Sequence, residues 1–108
     1  MALFMTQFSY TPEAWAALVK KPHNRTAAIK GLAKKLGGRV LHFSYAFGDY
    51  DGIVIMEAPD ETTATAILLA AIAPGHLKAT KTTVLFTPEQ AIEAMKKAGT
   101  VAYSGPRD

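Results

Sequence analysis

Four stretches of the chain combine β-branched, aromatic and aliphatic residues with the alternation of apolar and polar positions that is typical of strands. Clusters of glycine, proline, aspartate and threonine bound these stretches and favour turns or helix starts. The last stretch is rich in threonine, which favours a strand over a helix. The predicted strands are residues 3–10, 39–47, 53–58 and 76–86.

Helical periodicity and capping signals predict helices between and after these strands. Thr11 and Thr87 each precede a proline, which suits the first position of a helix, and Asp60 supplies a capping carboxylate. A proline interrupts the first helical stretch, and Gly37 with Gly38 ends the second. The predicted helices are residues 12–20, 24–36, 61–73 and 88–98.

This order of elements predicts an α+β protein with a ferredoxin-like βαββαβ topology and an extra C-terminal helix. In that topology the helices cover one face of a four-stranded antiparallel sheet and leave the other face open. A chain of 108 residues forms one domain, to which we assign residues 1–98, and residues 99–108 are expected to form a tail.

The predicted turn at residues 48–52 gives a register for the two middle strands. If Phe47 opposes Gly52, then Ser44 opposes Ile55 and His42 opposes Glu57, and opposed residues share a face of the sheet. The prediction therefore places alternate residues of the second strand on the open face, namely Val40, His42, Ser44 and Ala46. The residues expected to pack against the helices are Leu41, Phe43, Tyr45 and Phe47.

The open face defined in this way has a mixed composition. Its apolar members are Leu3, Met5, Val40, Ile53, Ile55 and Leu85. Its polar members are Gln7, His42, Ser44, Glu57, Lys81 and Thr83. Such a face is too apolar to stay in water and too polar for a purely structural contact. It predicts a second sheet packed across a partly polar cavity that suits a small ligand.

The composition of the chain limits the cellular location and the binding partners that we expect for it. The chain is 49% hydrophobic and only 19% charged, which favours self-association. The net charge of +3 is mild and aromatic residues are not interleaved with the basic ones, so we expect no nucleic-acid binding. Cysteine is absent, which excludes disulfides and thiolate chemistry. With no signal-peptide pattern and no apolar run of about 20 residues, we expect a cytoplasmic protein without membrane contacts.

Several segments together resemble the GYD-domain proteins, whose family is named for a Gly-x-Tyr-Asp segment. That segment is Gly48-Asp49-Tyr50-Asp51 in this chain. The similarity also covers residues 53–60 (IVIMEAPD), Asn24-Arg25, residues 36–38 and residues 78–88. Ala14 departs from it, since glycine is expected there. The resemblance implies a dimeric α/β barrel, in which two ferredoxin-like sheets close on one another, and it implies no particular reaction.

The candidate catalytic residues are His42 and Glu57, because a carboxylate beside an imidazole fixes its tautomer and supports its use as a general base. The alternative is a polar cross-strand pair at a subunit contact. Metal ligands are not expected, because the three histidines are scattered along the chain. No cofactor is expected either.

The candidate ligand-binding residues are Gln7, Ser44, Tyr50, Asp51 and Lys81. The lysine can bind an anionic group, or it can extend its ammonium to solvent at the rim. The tyrosine and aspartate lie in the turn, where both also have ordinary structural uses.

Three residues are expected to have structural roles. Arg25 lies near a helix start, where the helix dipole disfavours a cation, so a salt bridge to Asp51 would account for it. Gly48 and Gly52 are expected to adopt backbone angles that other residues resist.

Three functions remain open at this level. The first is a homodimer, or a multiple of dimers, that binds a small apolar or weakly anionic molecule between the open face and its partner. The second is a cofactor-independent oxygenase or isomerase with His42 as general base. The third is a structural assembly protein without a ligand.

Overall fold

The computed structural model describes residues 1–107 and has the predicted order of elements. The strands are β1 (Ala2–Tyr10), β2 (Arg39–Tyr45), β3 (Gly52–Ala58) and β4 (Leu77–Leu85). The helices are α1 (Pro12–Lys20), α2 (Thr26–Lys35), α3 (Glu61–Ile72) and α4 (Pro88–Ala98). The strands form one antiparallel sheet in the order β2-β3-β1-β4, which confirms the ferredoxin-like prediction.

The predicted capping residues begin three of the helices. The Thr11 hydroxyl accepts a hydrogen bond of 3.1 Å from the backbone N–H of Ala14. The Asp60 carboxylate accepts one of 2.7 Å from the backbone N–H of Thr63, and this bond lowers the pKa of Asp60. A reciprocal capping box between Thr87 and Gln90 begins α4. These side chains satisfy backbone donors that each helix leaves unpaired.

The core lies between the sheet and the helices and consists of two clusters. The buried residues of the first are Phe4, Ala33, Met56, Ala58, Ala64 and Ile67. The second contains Phe8, Tyr10 and Ala14, with Trp15 and Phe43 packed against them. Leu3, Met5 and Gln7, whose side chains point away from the helices, are only half-buried. The sheet therefore has one covered face and one open face, as predicted.

The register of β2 and β3 differs from the prediction. The strand β2 ends at Tyr45, which pairs with Gly52, so residues 46–51 form the connection. Phe47, which was predicted to pack against the helices, lies in this connection and is fully exposed. This displacement of two positions leaves Ser44 and His42 on the open face but changes their partners. Ser44 opposes Ile53, and His42 opposes Ile55.

An irregularity near the start of β2 places two side chains on the faces of the sheet opposite to those predicted. Val40 pairs with Met56 and His42 pairs with Ile55, so Leu41 is an extra residue between them. A bulge of this kind reverses the alternation of faces. Val40 consequently packs against the first core cluster instead of the open face, and Leu41 is 41% exposed instead of buried.

The C-terminal part of the chain extends away from this body. None of the residues of α4, Pro88–Ala98, is buried, although Ile92 and Met95 are apolar. Phe86 before the helix and Tyr103 after it are also exposed. The radius of gyration is 17.7 Å, against about 13 Å for a compact chain of this length. The protein thus leaves the apolar side chains of α4 without cover within one copy.

Candidate functional site

The open face carries its side chains in rows that run across the sheet. Strand pairing places Lys81, Gln7, Ile53 and Ser44 in one row. The next row contains Thr83, Met5, Ile55 and His42, and the third contains Leu85, Leu3, Glu57 and Arg39. Three of the predicted ligand-binding residues therefore lie in the same row.

His42 and Glu57 do not form the predicted cross-strand pair. They lie in neighbouring rows, and the residue opposite Glu57 is Arg39. The ring Nε2 of His42 instead hydrogen-bonds the Ser44 hydroxyl, two positions along the same strand. The displaced register and the bulge account for both differences. The geometry that suggested a histidine base oriented by a carboxylate is absent from residues 1–107.

A cavity of about 320 Å³, which we call the loop cavity, lies where the β2–β3 connection meets the open face. Its walls come from the connection and from the first row of the face. The lining residues are Gln7, Ala46, Gly48, Asp49, Tyr50, Ile53 and Lys81. An ammonium group, an amide and a phenol ring thus surround an open volume next to an aliphatic side chain. This set can hold a small molecule that combines apolar surface with an acceptor or a negative charge.

Asp51 belongs to the same connection, but its carboxylate has partners on the helix side. Its Oδ2 accepts a hydrogen bond of 2.9 Å from the backbone N–H of Tyr10 and one of 3.0 Å from the Trp15 indole. Its own N–H donates to the Phe8 carbonyl at 2.8 Å, and its carbonyl accepts from the N–H of Ala46 at 2.7 Å. Asp51 therefore joins the connection to β1 and α1. A ligand-binding role for Asp51 remains only a prediction.

An aromatic cluster surrounds these hydrogen bonds. The ring centroids of Tyr10 and Trp15 are 5.1 Å apart in an edge-to-face arrangement, and those of Phe43 and Tyr45 are also 5.1 Å apart. The hydroxyls of Tyr10 and Tyr45 are 3.3 Å apart. Burial and this hydrogen bond raise the pKa of Tyr10 well above its usual value, against the opposing effect of Arg25. The Tyr10 phenol therefore stays protonated and can donate a hydrogen bond.

Neither Gly48 nor Gly52 has the backbone angles that were predicted for it. Among residues 1–107, the glycines with positive φ are Gly37 and Gly75. Gly52 is required for a different reason, because a Cβ atom there would overlap the ring of Phe8. A Cβ atom on Gly48 would meet nothing within 4 Å. The residue that excludes a side chain at position 52 is Phe8, more than forty positions away in sequence. The sequence of the turn alone therefore does not predict why glycine is needed there.

Arg25 contacts neither Asp51 nor the loop cavity. Its guanidinium lies 3.4 Å from the Nε2 of His23, and its positive charge acts to lower the pKa of Tyr10. The predicted salt bridge with Asp51 is therefore wrong, because Asp51 is occupied by Tyr10 and Trp15. Within residues 1–107, the side-chain partners of this arginine include no carboxylate.

A second cavity lies on the other side of the sheet, between α2, α3 and the strands. We call it the helix-side cavity; its volume is about 240 Å³. Its walls are mostly aliphatic, and Arg25, Tyr10 and His76 contribute the larger polar groups. No pattern in the sequence indicates this cavity, because its walls come from residues that the periodicity assigns to the core.

Residues 1–107 contain neither a helix that could span a membrane nor a group of three side chains placed to ligate a metal ion. No helix in that range is long and apolar enough to cross a membrane. No group of three histidine or acidic side chains in the same range is arranged to hold a metal ion.

The sheet order and its helical layer define a small α+β protein of the ferredoxin-like class. The model of the GYD domain matches residues 4–95, and the chain belongs to the GYD domain family. This confirms the resemblance carried by residues 48–51 and their neighbours. No curated protein matches the chain.

Solved structures with the same fold are similar to the chain at low sequence identity. The crystal structure of FFRP-DM1 is 15% identical with a TM-score of 0.50, covering 80% of this chain and 100% of that one. TTHA0845 from Thermus thermophilus is 15% identical with a TM-score of 0.53, over 81% of this chain and 95% of that one. MtbAldR is 13% identical with a TM-score of 0.59, and the match spans 80% of this chain but only 53% of MtbAldR. These similarities concern the fold alone.

Proposed function

We propose that the protein is a homo-oligomer, built from dimers in which two open faces pack together, and that it binds a small molecule in the loop cavity. The observation that carries this proposal is the convergence of Gln7, Tyr50 and Lys81 around one cavity at the edge of the open face. A second copy over that face would enclose the cavity. The ligand would be apolar or weakly anionic, because the cavity combines Ile53 with the ammonium group of Lys81.

The exposed surface of the chain supports self-association. The accessible surface is 7814 Å², whereas a compact monomer of 11.6 kDa exposes about 5,800 Å². The difference is about 2,000 Å², and each partner in a stable complex typically buries about 800 Å². Part of the excess belongs to the exposed apolar residues of α4 and its flanks, and docking between copies would cover them.

A substitution of Ile55 tests whether the open faces of two copies pack together. It lies in the middle row of the sheet between Met5 and His42, where a glutamate would introduce a charge into the apolar part of the interface. We expect native mass spectrometry to show dimers, or multiples of two, for the unmodified chain and monomers for Ile55→Glu. Leaving one such charge unpaired in an interface weakens association by about a hundredfold or more.

A matched variant separates this effect from a general effect of charge. Ala27 lies on the exposed side of α2, so Ala27→Glu adds the same charge away from the sheet and should leave the assembly unchanged. Circular dichroism of both variants would check that the fold is retained. A folded Ile55→Glu protein that keeps the full assembly would refute packing through the open face.

A substitution of Lys81 tests the proposal that the loop cavity binds a ligand. Native mass spectrometry of the purified assembly should detect a bound small molecule, and Lys81→Met should reduce the occupied fraction by about tenfold because a charge-assisted contact is lost. Lys78 lies on the same strand outside the cavity lining, so Lys78→Met is the control and should keep the wild-type occupancy. An assembly that carries no ligand in any preparation would favour the purely structural function.

A further inference from the structure

The helix-side cavity exists because the two helices above it present small side chains. Ala28 of α2 and Ala70 and Ala71 of α3 line the volume, where larger residues would have filled it. The sheet contributes Phe8, Val54 and other core side chains as the floor. Ala28 and Ala70 are exposed, so the cavity opens to solvent and a ligand can enter it.

The size of the cavity limits the ligand that would fit. An apolar cavity of about 150 Å³ accepts benzene, which has six non-hydrogen atoms. In proportion, about 240 Å³ accepts a molecule of roughly ten non-hydrogen atoms. The aliphatic walls favour an unbranched or aromatic hydrocarbon portion over a polar one.

The polar side chains at this cavity determine the chemistry of the other end of the ligand. Arg25 is half-buried and lines the cavity together with Tyr10, and His76 contributes a third polar group. Among residues 1–107, the side chain that bonds the guanidinium is His23, and no carboxylate in that range balances its charge. A planar guanidinium suits a carboxylate, to which it can donate two parallel hydrogen bonds.

We infer that the helix-side cavity is a second binding site, which takes a carboxylic acid with an apolar tail of about seven carbons and holds its carboxylate at Arg25. The tail lies between α2, α3 and the sheet. This site is separate from the loop cavity, because the four strands lie between them and the two share no lining residue. It therefore does not depend on the proposed function.

Octanoate, which has ten non-hydrogen atoms, is the probe for this site. Isothermal titration calorimetry of the full chain should detect octanoate binding, with weaker binding of octan-1-ol because the alcohol lacks the charge. Arg25→Gln should weaken octanoate binding by at least about tenfold while leaving octanol binding unchanged. Lys30→Gln removes a cation from the exposed side of the same helix and should change neither affinity.

A second variant tests the position of the tail without altering the arginine. Ala71→Leu adds three carbon atoms to the wall of the cavity and should abolish binding of both probes. Amide chemical shifts in the wild-type chain should change near Ile29 and Leu77, which line the cavity, and not near Lys81. Retained octanol binding in Arg25→Gln shows that this variant is folded.

Three outcomes would overturn this inference. One is that the Arg25→Gln variant binds octanoate with the same affinity as the unmodified chain. Another is a set of shifts confined to Gln7 and Lys81, which would assign the probe to the loop cavity and support the proposed function instead. The third is an altered mass of the assembly in Ala71→Leu with unchanged octanoate affinity, which would indicate that a segment of a second copy fills the cavity.

Discussion

Replacing Asp51 with alanine is expected to lower the free energy of unfolding by about 3 kcal/mol, because two donors lose their acceptor. These donors are the backbone N–H of Tyr10 and the indole N–H of Trp15, which bond the same carboxylate oxygen. The melting temperature should fall by more than about 10 °C. Trp15 is the only tryptophan in the chain, so its fluorescence monitors denaturant unfolding at the affected contact.

The isosteric change Asp51→Asn is a partial rescue. The amide oxygen can accept both hydrogen bonds without the charge, so the expected loss is about 1 kcal/mol. Asp49 lies exposed in the same connection, and Asp49→Ala should change stability by less than about 0.5 kcal/mol. If Asp51→Ala proved as stable as Asp49→Ala, these hydrogen bonds would not be what holds the connection to β1 and α1.

Gly52→Ala is the second substitution with a large expected effect, a loss of about 3 kcal/mol. The added methyl group would overlap the Phe8 ring, which is only 5% exposed. That ring cannot move aside easily, because Tyr10 and Phe43 pack against it with centroid distances of 5.3 and 6.0 Å. Urea unfolding followed by circular dichroism measures the change.

A double-mutant cycle identifies the cause of this loss. If the overlap with Phe8 is responsible, Gly52→Ala should cost about 1 kcal/mol or less once Phe8→Leu has made room. Gly48→Ala is the matched control, since its added methyl group meets no atom within 4 Å and should leave stability within about 0.5 kcal/mol. Equal costs of Gly52→Ala in both backgrounds would exclude the steric explanation.

The elements were predictable because their signals are local. Thr11, Asp60 and Thr87 cap helices within three residues of themselves, and the positive φ of Gly37 follows from its place after α2. The faces of β1 and β4 followed from simple alternation, and the structure pairs Gln7 with Lys81 as that alternation requires. The order of strands then followed from the topology.

The details that the sequence did not predict depend on contacts across the sheet. Val40 and Leu41 are both aliphatic, so no local signal shows that a bulge turns one inward and the other outward. The partners of Asp51 lie in β1 and α1, and the neighbour that excludes a side chain at Gly52 is Phe8. The prediction of His42 beside Glu57 failed for the same reason, because a displacement of two residues changes every pair between β2 and β3.

The helix α4 has one further consequence for the behaviour of the chain. Thr87, Pro88 and Gln90 determine its start, and its last turn carries Lys96 and Lys97. The side chains that stabilise this helix therefore all belong to the helix and its cap. An isolated helix of eleven residues is only marginally stable in water. Its amide protons therefore exchange with solvent by local fraying in a single copy, and slow exchange in α4 directly reports that another surface covers it.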